Sequence, residues 1–333
     1  MPVLPLPTVD SLGSVSNAWA LVQYCMQRVP GFDQREYLRE LNASYVHVWE
    51  EIIKLRVYYF ANRKVISVVN PQYTYDFMYN YDNALSAPVS PRMYQILRLR
   101  IQPPAGGLYQ TTKSMDFNRP DFNALEANPN STPTQTGPYY WVPSGRGEVT
   151  WALPLGAGTN IEVIYNFWLL QMSYLSTGTV SSVGTAVTGT GTAFTTLLQP
   201  DFQQFLPTSG GGLPEEIQAE LVVNGQIYRV VKITDDTHLT LGTAPATPFS
   251  ANAYALAIVP DIQREHIRVI ASRAIKNLYS LLGDDDRVEE WQAISEENMQ
   301  MMKDTLMERQ GQDPPQRQRF PYGIGRRNRT FMR

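Results

Sequence analysis

The feature that most constrains this chain is a change of hydrophobic period along its length. Apolar residues recur at helical spacing at both ends and at a spacing of two in the middle. Within residues 14–29, Trp19, Val22, Met26 and Val29 mark a first helix, and Pro30-Gly31 stops it. Asp33 and Glu36 then form a capping-box signature ahead of a second helix. Its stripe is Leu38, Leu41, Tyr45, Val48, Ile52 and Leu55. The helical pattern returns at Pro260, where Ile267, Ile270, Ala274, Leu278 and Leu281 predict a third helix ended by Gly283. Asp284–Asp286 cap a fourth, carrying Val288, Trp291, Ile294, Met301, Thr305 and Leu306. A pair of helices cannot bury its stripes alone. The economical solution packs all four as one bundle closed by both ends of the chain.

Between those ends the chain reads as β structure. Val57–Val69 predicts a hairpin turning near Ala61-Asn62, and further strands are expected at Tyr94–Ile101, Leu108–Asp116, Gly147–Leu155 and Ile161–Tyr174. From residue 176 the texture shifts to Thr, Gly, Val and Ala. Asn224-Gly225, flanked by Leu221–Val223 and Gln226–Val231, is a strong hairpin signal, and Asp235-Asp236 marks another turn. The expected class is α+β: a discontinuous α-helical bundle (1–56 and 259–308), an antiparallel β region (57–175), an inserted small all-β module (176–258) and an extended C-terminal arm (309–333).

The arm, Arg309–Arg333, reads RQGQDPPQRQRFPYGIGRRNRTFMR. Pro314-Pro315, Pro321, Gly323 and Gly325 forbid a continuing helix. Seven arginines face a single acid, Asp313, and Phe320, Tyr322, Ile324 and Phe331 are spaced among them. Ordering such a segment costs roughly 1–2 kcal/mol per residue in backbone entropy, which only a partner burying the aromatics and pairing the guanidiniums would offset. From the arm alone three readings stand. It binds nucleic acid through phosphate pairing and base stacking; it buries aromatics in protein pockets while arginine pairs carboxylates; or it is a tail without a partner.

Catalytic and metal chemistry find little footing. His47, His238 and His266 are far apart, with no His-x-x-x-His or Cys–His spacing. His47 lies beside the second helix's stripe, and His266 is expected on a polar position of the third. Gly189-Thr190-Gly191 and Gly210–Gly212 lack a following Gly-Lys-Ser/Thr and read as turns. Asp284–Asp286 lack the alternating ligands of a calcium loop. Glu215-Glu216 and Glu289-Glu290 are adjacent pairs, which read as solvated faces. Cys25, the one cysteine, excludes an intramolecular disulfide and reads as a buried small side chain. Asn42, Asn130 and Asn328 head sequons, but no secretory signal precedes them. No stretch reaches the ~18 apolar residues of a membrane span. A net charge of −3 does not suit a wholly nucleic-acid-binding chain; the positive charge is local to the arm. A soluble cytosolic product without cofactor or metal is expected, non-enzymatic, with a structural or binding role.

The order of these parts resembles the head–tail adaptor (connector) proteins of tailed bacteriophages. The residues that carry the resemblance are WALVQYCMQRVPGFDQREYLRELNASYVHVWEEI, REHIRVIASRAIKNLYSLLGDDDRVEEWQAISEENMQMMKD and the arm's FPYGIGRRNRTFMR. The stretch GTAVTGTGTAFTT…NGQIYRVVKITDDTHLTL is similar to a small β module of phage virion proteins, one that minimal adaptors lack. The resemblance implies a virion structural protein, made in the host cytoplasm and forming a twelve-membered ring below the portal. Its arm would embed in portal protein, its distal face would meet the tail or another neck protein, and packaged double-stranded DNA would pass non-specifically through its channel. On this reading Phe320, Tyr322, Ile324 and Phe331 anchor the arm. Arg317, Arg319, Arg326, Arg327 and Arg329 pair portal acids or face the DNA path. Two alternatives stay open: another neck or tail component, such as a tail terminator or tube-associated protein, and a nucleic-acid-binding protein using the arm. Carbohydrate binding by the β module has only Tyr228 and Tyr254 as stacking candidates.

Overall fold

The computed structural model describes residues 17–55, 58–90, 92–114, 139–144, 147–152, 154–198 and 217–311. The class is α+β. Helix α1 (Ala18–Arg28) starts where the Asn17 side chain accepts the Ala20 N–H at 3.1 Å. Helix α2 (Gln34–Lys54) starts where Asp33 accepts the Glu36 N–H at 2.9 Å. Four positions of the expected α2 stripe, Leu41, Tyr45, Val48 and Ile52, are fully buried, and Leu38 and Leu55 are half-buried. Residues Ala18–Cys25 of α1 are buried on all sides, as a helix between two layers must be.

The expected hairpin at Ala61-Asn62 does not form. Residues Tyr58–Phe60 make a short 3-10 turn, and β1 (Ala61–Ser67) runs unbroken through both residues. Ala-Asn without a following glycine is a poor two-residue hairpin loop, and β1 finds its partner a hundred residues away instead. Then come β2 (Thr74–Asp76) and β3 (Met93–Gln102). The Leu108–Asp116 strand is instead two short strands, β4 (Gln110–Thr111) and β5 (Lys113–Ser114), and Asp116 lies outside the described residues. Thr112 between them is a corner: its hydroxyl donates to Leu99 O at 2.7 Å and accepts from the Trp141 indole at 2.9 Å. Strands β6 (Tyr140–Pro143), β7 (Glu148–Trp151) and β8 (Asn160–Phe167) complete two four-stranded sheets. Their orders are β1-β8-β3-β4 and β2-β7-β6-β5. All pairings in them are antiparallel except β5 with β6, a parallel exception to the expected pattern. Ile66, Leu99, Ile101, Ile161, Val163 and Tyr165 of the first sheet pack on Tyr75, Trp141, Val149 and Trp151 of the second.

The predicted Ile161–Tyr174 strand breaks at Phe167, and β9 (Tyr174–Leu175) joins a third sheet. That sheet also holds β10 (Thr179–Val183), β11 (Ala186–Thr190), β12 (Ala219–Val223), β13 (Gln226–Ile233), β14 (His238–Leu241) and β15 (Tyr254–Ile258). Its order is β10-β11-β14-β13-β12-β15-β9. Asn224 and Gly225 take the positive φ values, 50° and 75°, that a tight β12–β13 hairpin demands. Gly189, read as a turn, lies within β11, where a Cβ would meet Thr192 and Phe194; Gly210–Gly212 lie outside the described residues.

Strands β12 and β15 are buried on both faces. Leu221, Val223, Leu256 and Ile258 fill the sheet's own core, while Val222, Ala255 and Ala257 pack into the helical core with α1. This double burial explains why β15 reads as a continuous apolar run rather than an alternation, and why β12 is apolar except at Glu220.

Helix α3 (Ile267–Leu282) ends at Gly283, whose φ of 70° closes the helix in the left-handed conformation. Leu281 is 54% exposed, not part of the core. The Tyr279 hydroxyl reaches Arg28 O, at the end of α1, at 2.8 Å, and Leu281 and Leu282 beyond it are both more than half exposed. Helix α4 (Asp285–Gly311) follows, with Asp284 accepting the Arg287 N–H at 3.2 Å. Its buried stripe is rotated from the expected one. Ser295, Met299, Met302 and Leu306 are buried, with Val288 and Trp291 packed against them, whereas Met301 is 52% exposed. Polar Ser295 and Asn298 occupy core-facing positions, and Asn298 bonds Ser272 at 3.3 Å, which disguises the true face.

Candidate docking interface

The C-terminal arm begins where α4 leaves the bundle, and that exit is fixed by charge as well as by burial. Met302 and Leu306 sit in the helical core. Between them Lys303 Nζ meets Glu51 Oε2 at 2.7 Å. Glu51 on α2 also bonds His47 Nε2 at 2.9 Å and Arg273 Nη1 of α3 at 3.5 Å. One carboxylate therefore ties α2, α3 and α4 together two turns before the arm. Burial by itself would raise the Glu51 carboxyl, but Lys303 and His47 outweigh it and hold the group below its usual value. The anchor residues expected from the sequence, Arg317, Arg319, Phe320, Tyr322, Ile324, Arg326, Arg327, Arg329 and Phe331, lie outside the described residues.

A second set of contacts joins the bundle to the sheets. The Arg92 side chain is 1% exposed, donates from Nε to Trp168 O at 3.0 Å and pairs with Asp261. Its guanidinium also lies 4.8 Å from the centre of the Phe167 ring. The Tyr45 hydroxyl of α2 accepts the Asp261 N–H at 2.6 Å and donates to Asp261 Oδ2 at 3.2 Å. Burial raises the Asp261 carboxyl even against Arg92, and burial drives the Tyr45 phenol well above its usual range. Nearby, Glu220 of β12 accepts from Asn17 Nδ2 at 2.8 Å and from Arg264 at 3.2 Å. Asn17 thus caps α1 and links it to the third sheet. Asn42 makes a two-way clamp on Met172, donating to its O at 2.9 Å and accepting its N–H at 2.7 Å. A cleft of about 380 Å³ opens along this joint, lined by Gln218, Glu220, Asp261, Gln263 and Arg264 among others. Both of its carboxylates are engaged by arginine, so it is a seam between units.

Beside the joint, Trp49 stacks on Trp168 with ring centres 5.4 Å apart, and Tyr94 sits edge-on to Trp168 at 4.5 Å. Trp168 and Tyr94 remain about two-fifths exposed, at 38% and 42%. This is a half-exposed aromatic ledge at the waist of the molecule, the kind of surface enriched at contacts.

The remaining titratable residues resolve in structural terms. Burial pushes the Cys25 thiol up to about 12, so it is no nucleophile at neutral pH. His266 is buried just ahead of α3, beside the Tyr59 ring, rather than on a polar helical face. His238 lies 3.0 Å from both Thr237 Oγ1 and Asp235 Oδ1, but through the same nitrogen, Nδ1. A relay needs hydroxyl and carboxylate on opposite nitrogens, so this cluster is a turn and not a triad. Among the described residues no group of three His, Cys, Asp or Glu side chains is placed to hold a metal ion, and no helix is long and apolar enough to cross a membrane.

Sequence reasoning missed Glu51, Arg92, Glu162 and Asp261. Apart from His47, four residues before Glu51, their partners are distant in sequence, and a lone arginine in a loop reads as surface. No family model matches this chain, and no curated protein matches it.

Proposed function

We propose that this chain is a non-enzymatic structural protein of a tailed-phage virion, a head–tail adaptor. It assembles as a ring, twelve-membered on the resemblance, below the portal and extends the DNA channel toward the tail or the next neck protein. The observation that carries this reading is the pinned exit of α4. The helix is held by Leu306 in the core and by Lys303 on Glu51, and it continues directly into the arginine- and aromatic-rich arm. A rigid root presenting an arm without an apolar period suits docking into a larger assembly. A ring repeats each modest arm contact, so avidity makes the docked state long-lived.

On this reading Phe320 and Tyr322 are the anchors, and the flanking arginines pair portal acids or line the DNA path. The test is Phe320→Ala with Tyr322→Ala in the full chain. Loss of binding to the partner portal ring, with an unchanged circular dichroism spectrum and melting midpoint, is expected. Undiminished docking of the folded double variant would remove the anchor assignment.

A further inference from the structure

Helix α4 presents an outward face of one sign. Its 27 residues hold eight acids against three bases. Two of those bases turn back onto the bundle: Lys303 onto Glu51 at 2.7 Å, and Arg287 onto the Tyr279 hydroxyl at 3.2 Å. The third, Arg309, is the first residue of the arm. Opposite the buried stripe of Ser295, Met299, Met302 and Leu306, the residues Asp286, Glu290, Ala293, Glu297, Gln300 and Asp304 follow one another at intervals of four and three. All six are exposed. Asp286, Glu290, Glu297 and Asp304 form no ion pair among the described residues, and Asp304 accepts only from Gln300. Asp286 and Glu290, four apart, repel one another. Beside the row Met301 is 52% exposed, an apolar spot in an acidic stripe.

Such a surface selects a cationic partner that also carries apolar side chains, and the chain itself supplies one. Helix α4 ends at Gly311, and residues 312–333 follow it directly with six arginines against one acid, interleaved with Phe320, Tyr322, Ile324 and Phe331. One carboxylate cannot neutralise six guanidiniums, so the segment holds an excess of positive charge however its side chains are arranged. The lengths agree as well. From Asp304 back to Glu290 is about 21 Å of helix. From Arg319 to Arg326 is about 22 Å of extended chain. The return from Gly311 to Asp304 is about 10 Å, and residues 312–319 can span about 25 Å, enough to reverse direction.

We infer that the acidic outward face of α4 is a docking surface for the chain's own C-terminal arm, which folds back along it in the free subunit. Arginines of the arm pair with Glu290, Glu297 and Asp304, and its aromatic side chains reach toward Met301. The tether holds the arm at an effective concentration far above that of a second subunit, so the arm comes from the same copy. A nucleic acid would be repelled by this face. The inference uses only the arm's charge and its place in the chain, and it holds whatever the arm finally docks on. On the adaptor reading, portal acids would exchange for those of α4.

The test is the rate at which chymotrypsin cuts after Tyr322 in the full-length chain, read by mass spectrometry, against the same bond in a synthetic peptide of residues 312–333. At roughly 50 mM salt the chain is expected to be cut at least about tenfold more slowly than the peptide, and at roughly 500 mM the two rates should converge. Glu290→Arg with Glu297→Arg, both exposed, should remove the protection without lowering the melting midpoint. Arg319→Glu with Arg326→Glu, compared with a peptide of its own sequence, should do the same. Combining the two sets should restore protection, a rescue that a folding defect would not produce. A wild-type arm cut as fast as the peptide at low salt, or helix variants as protected as wild type, would overturn the inference. So would protection that appears only as the subunit is concentrated from roughly 1 μM to roughly 50 μM, which would assign the face to the arm of a second copy. Portal binding is measured separately, and the adaptor reading survives any of these failures.

Discussion

Arg92 and Asp261 meet across the joint between the sheets and the helical bundle, 169 residues apart in sequence, with Tyr45 of α2 bonded to the same carboxylate. The pair makes the orientation of the sandwich on the bundle a matter of charge satisfaction as well as packing.

Removing Arg92 should therefore be costly. Arg92→Ala leaves Asp261 charged and unpaired in a buried setting, and a loss of about 3–5 kcal/mol is expected. Urea unfolding of the variant measures it. Arg92→Met with Asp261→Asn should recover a substantial part, because the stranded charge is then gone; equal losses for the single and double variants would contradict the role given to the pair.

The Glu51 hub gives a pH dependence with a definite sign. Its carboxyl is held below the ordinary value of 4.5 in the folded chain. The folded state thus favours the charged form, and this contribution is present above pH 4.5 and lost as pH falls through the lowered value. Glu51→Gln should be less stable than wild type near neutrality, and the gap should narrow on acidification. Thermal melts of both proteins between about pH 3 and pH 7 measure it, and a gap that widens toward acid would contradict the sign.

Cys25 should be silent toward thiol reagents. A buried thiol with a value of about 12 offers almost no thiolate at pH 8. Reaction with a chromogenic disulfide is expected only at the rate of unfolding, and complete in denaturant. Rapid reaction of the native protein would place Cys25 outside the core.

Two glycines of the third sheet should respond differently to alanine. At Gly184, with φ of 60°, an added Cβ meets nothing within 4 Å, so only backbone strain of about 1–2 kcal/mol applies. At Gly178, with φ of 93°, the Cβ would lie 2.5 Å from Thr190 O, which is backbone and cannot swing aside. Gly178→Ala should lower the melting midpoint clearly more than Gly184→Ala, and the reverse order would be inconsistent with the close approach of Gly178 to Thr190.

Much of this fold was legible because some local signals carry their own mechanism. Asp33 ahead of an apolar stripe gave α2, Gly283 gave the end of α3, and Asn224-Gly225 gave the β12–β13 hairpin. Other signals were ambiguous for physical reasons. Ala61-Asn62 resembles a turn locally, and only the long-range pairing with Asn160–Phe167 carries β1 straight through it. The face of α4 is disguised in the sequence because polar Ser295 is buried and Asn298 turns inward to bond Ser272, while Met301 lies in solvent. The buried charges were invisible, since a salt bridge between Arg92 and Asp261 leaves no local pattern. Of the site, the sequence supplied the arm's chemistry, while its root at Glu51 and Lys303 emerged only from the packing of three helices.

The measurement that bears most directly on the adaptor reading is the mass of the complex formed with the partner portal ring, imaged in parallel by electron microscopy. Full-length protein and a version truncated after Gln310 would be compared. The adaptor reading predicts one stacked ring of twelve copies on the portal with the full-length chain and none with the truncated one. A full-length chain that leaves the portal mass unchanged would contradict it and move the assignment to another neck or tail component.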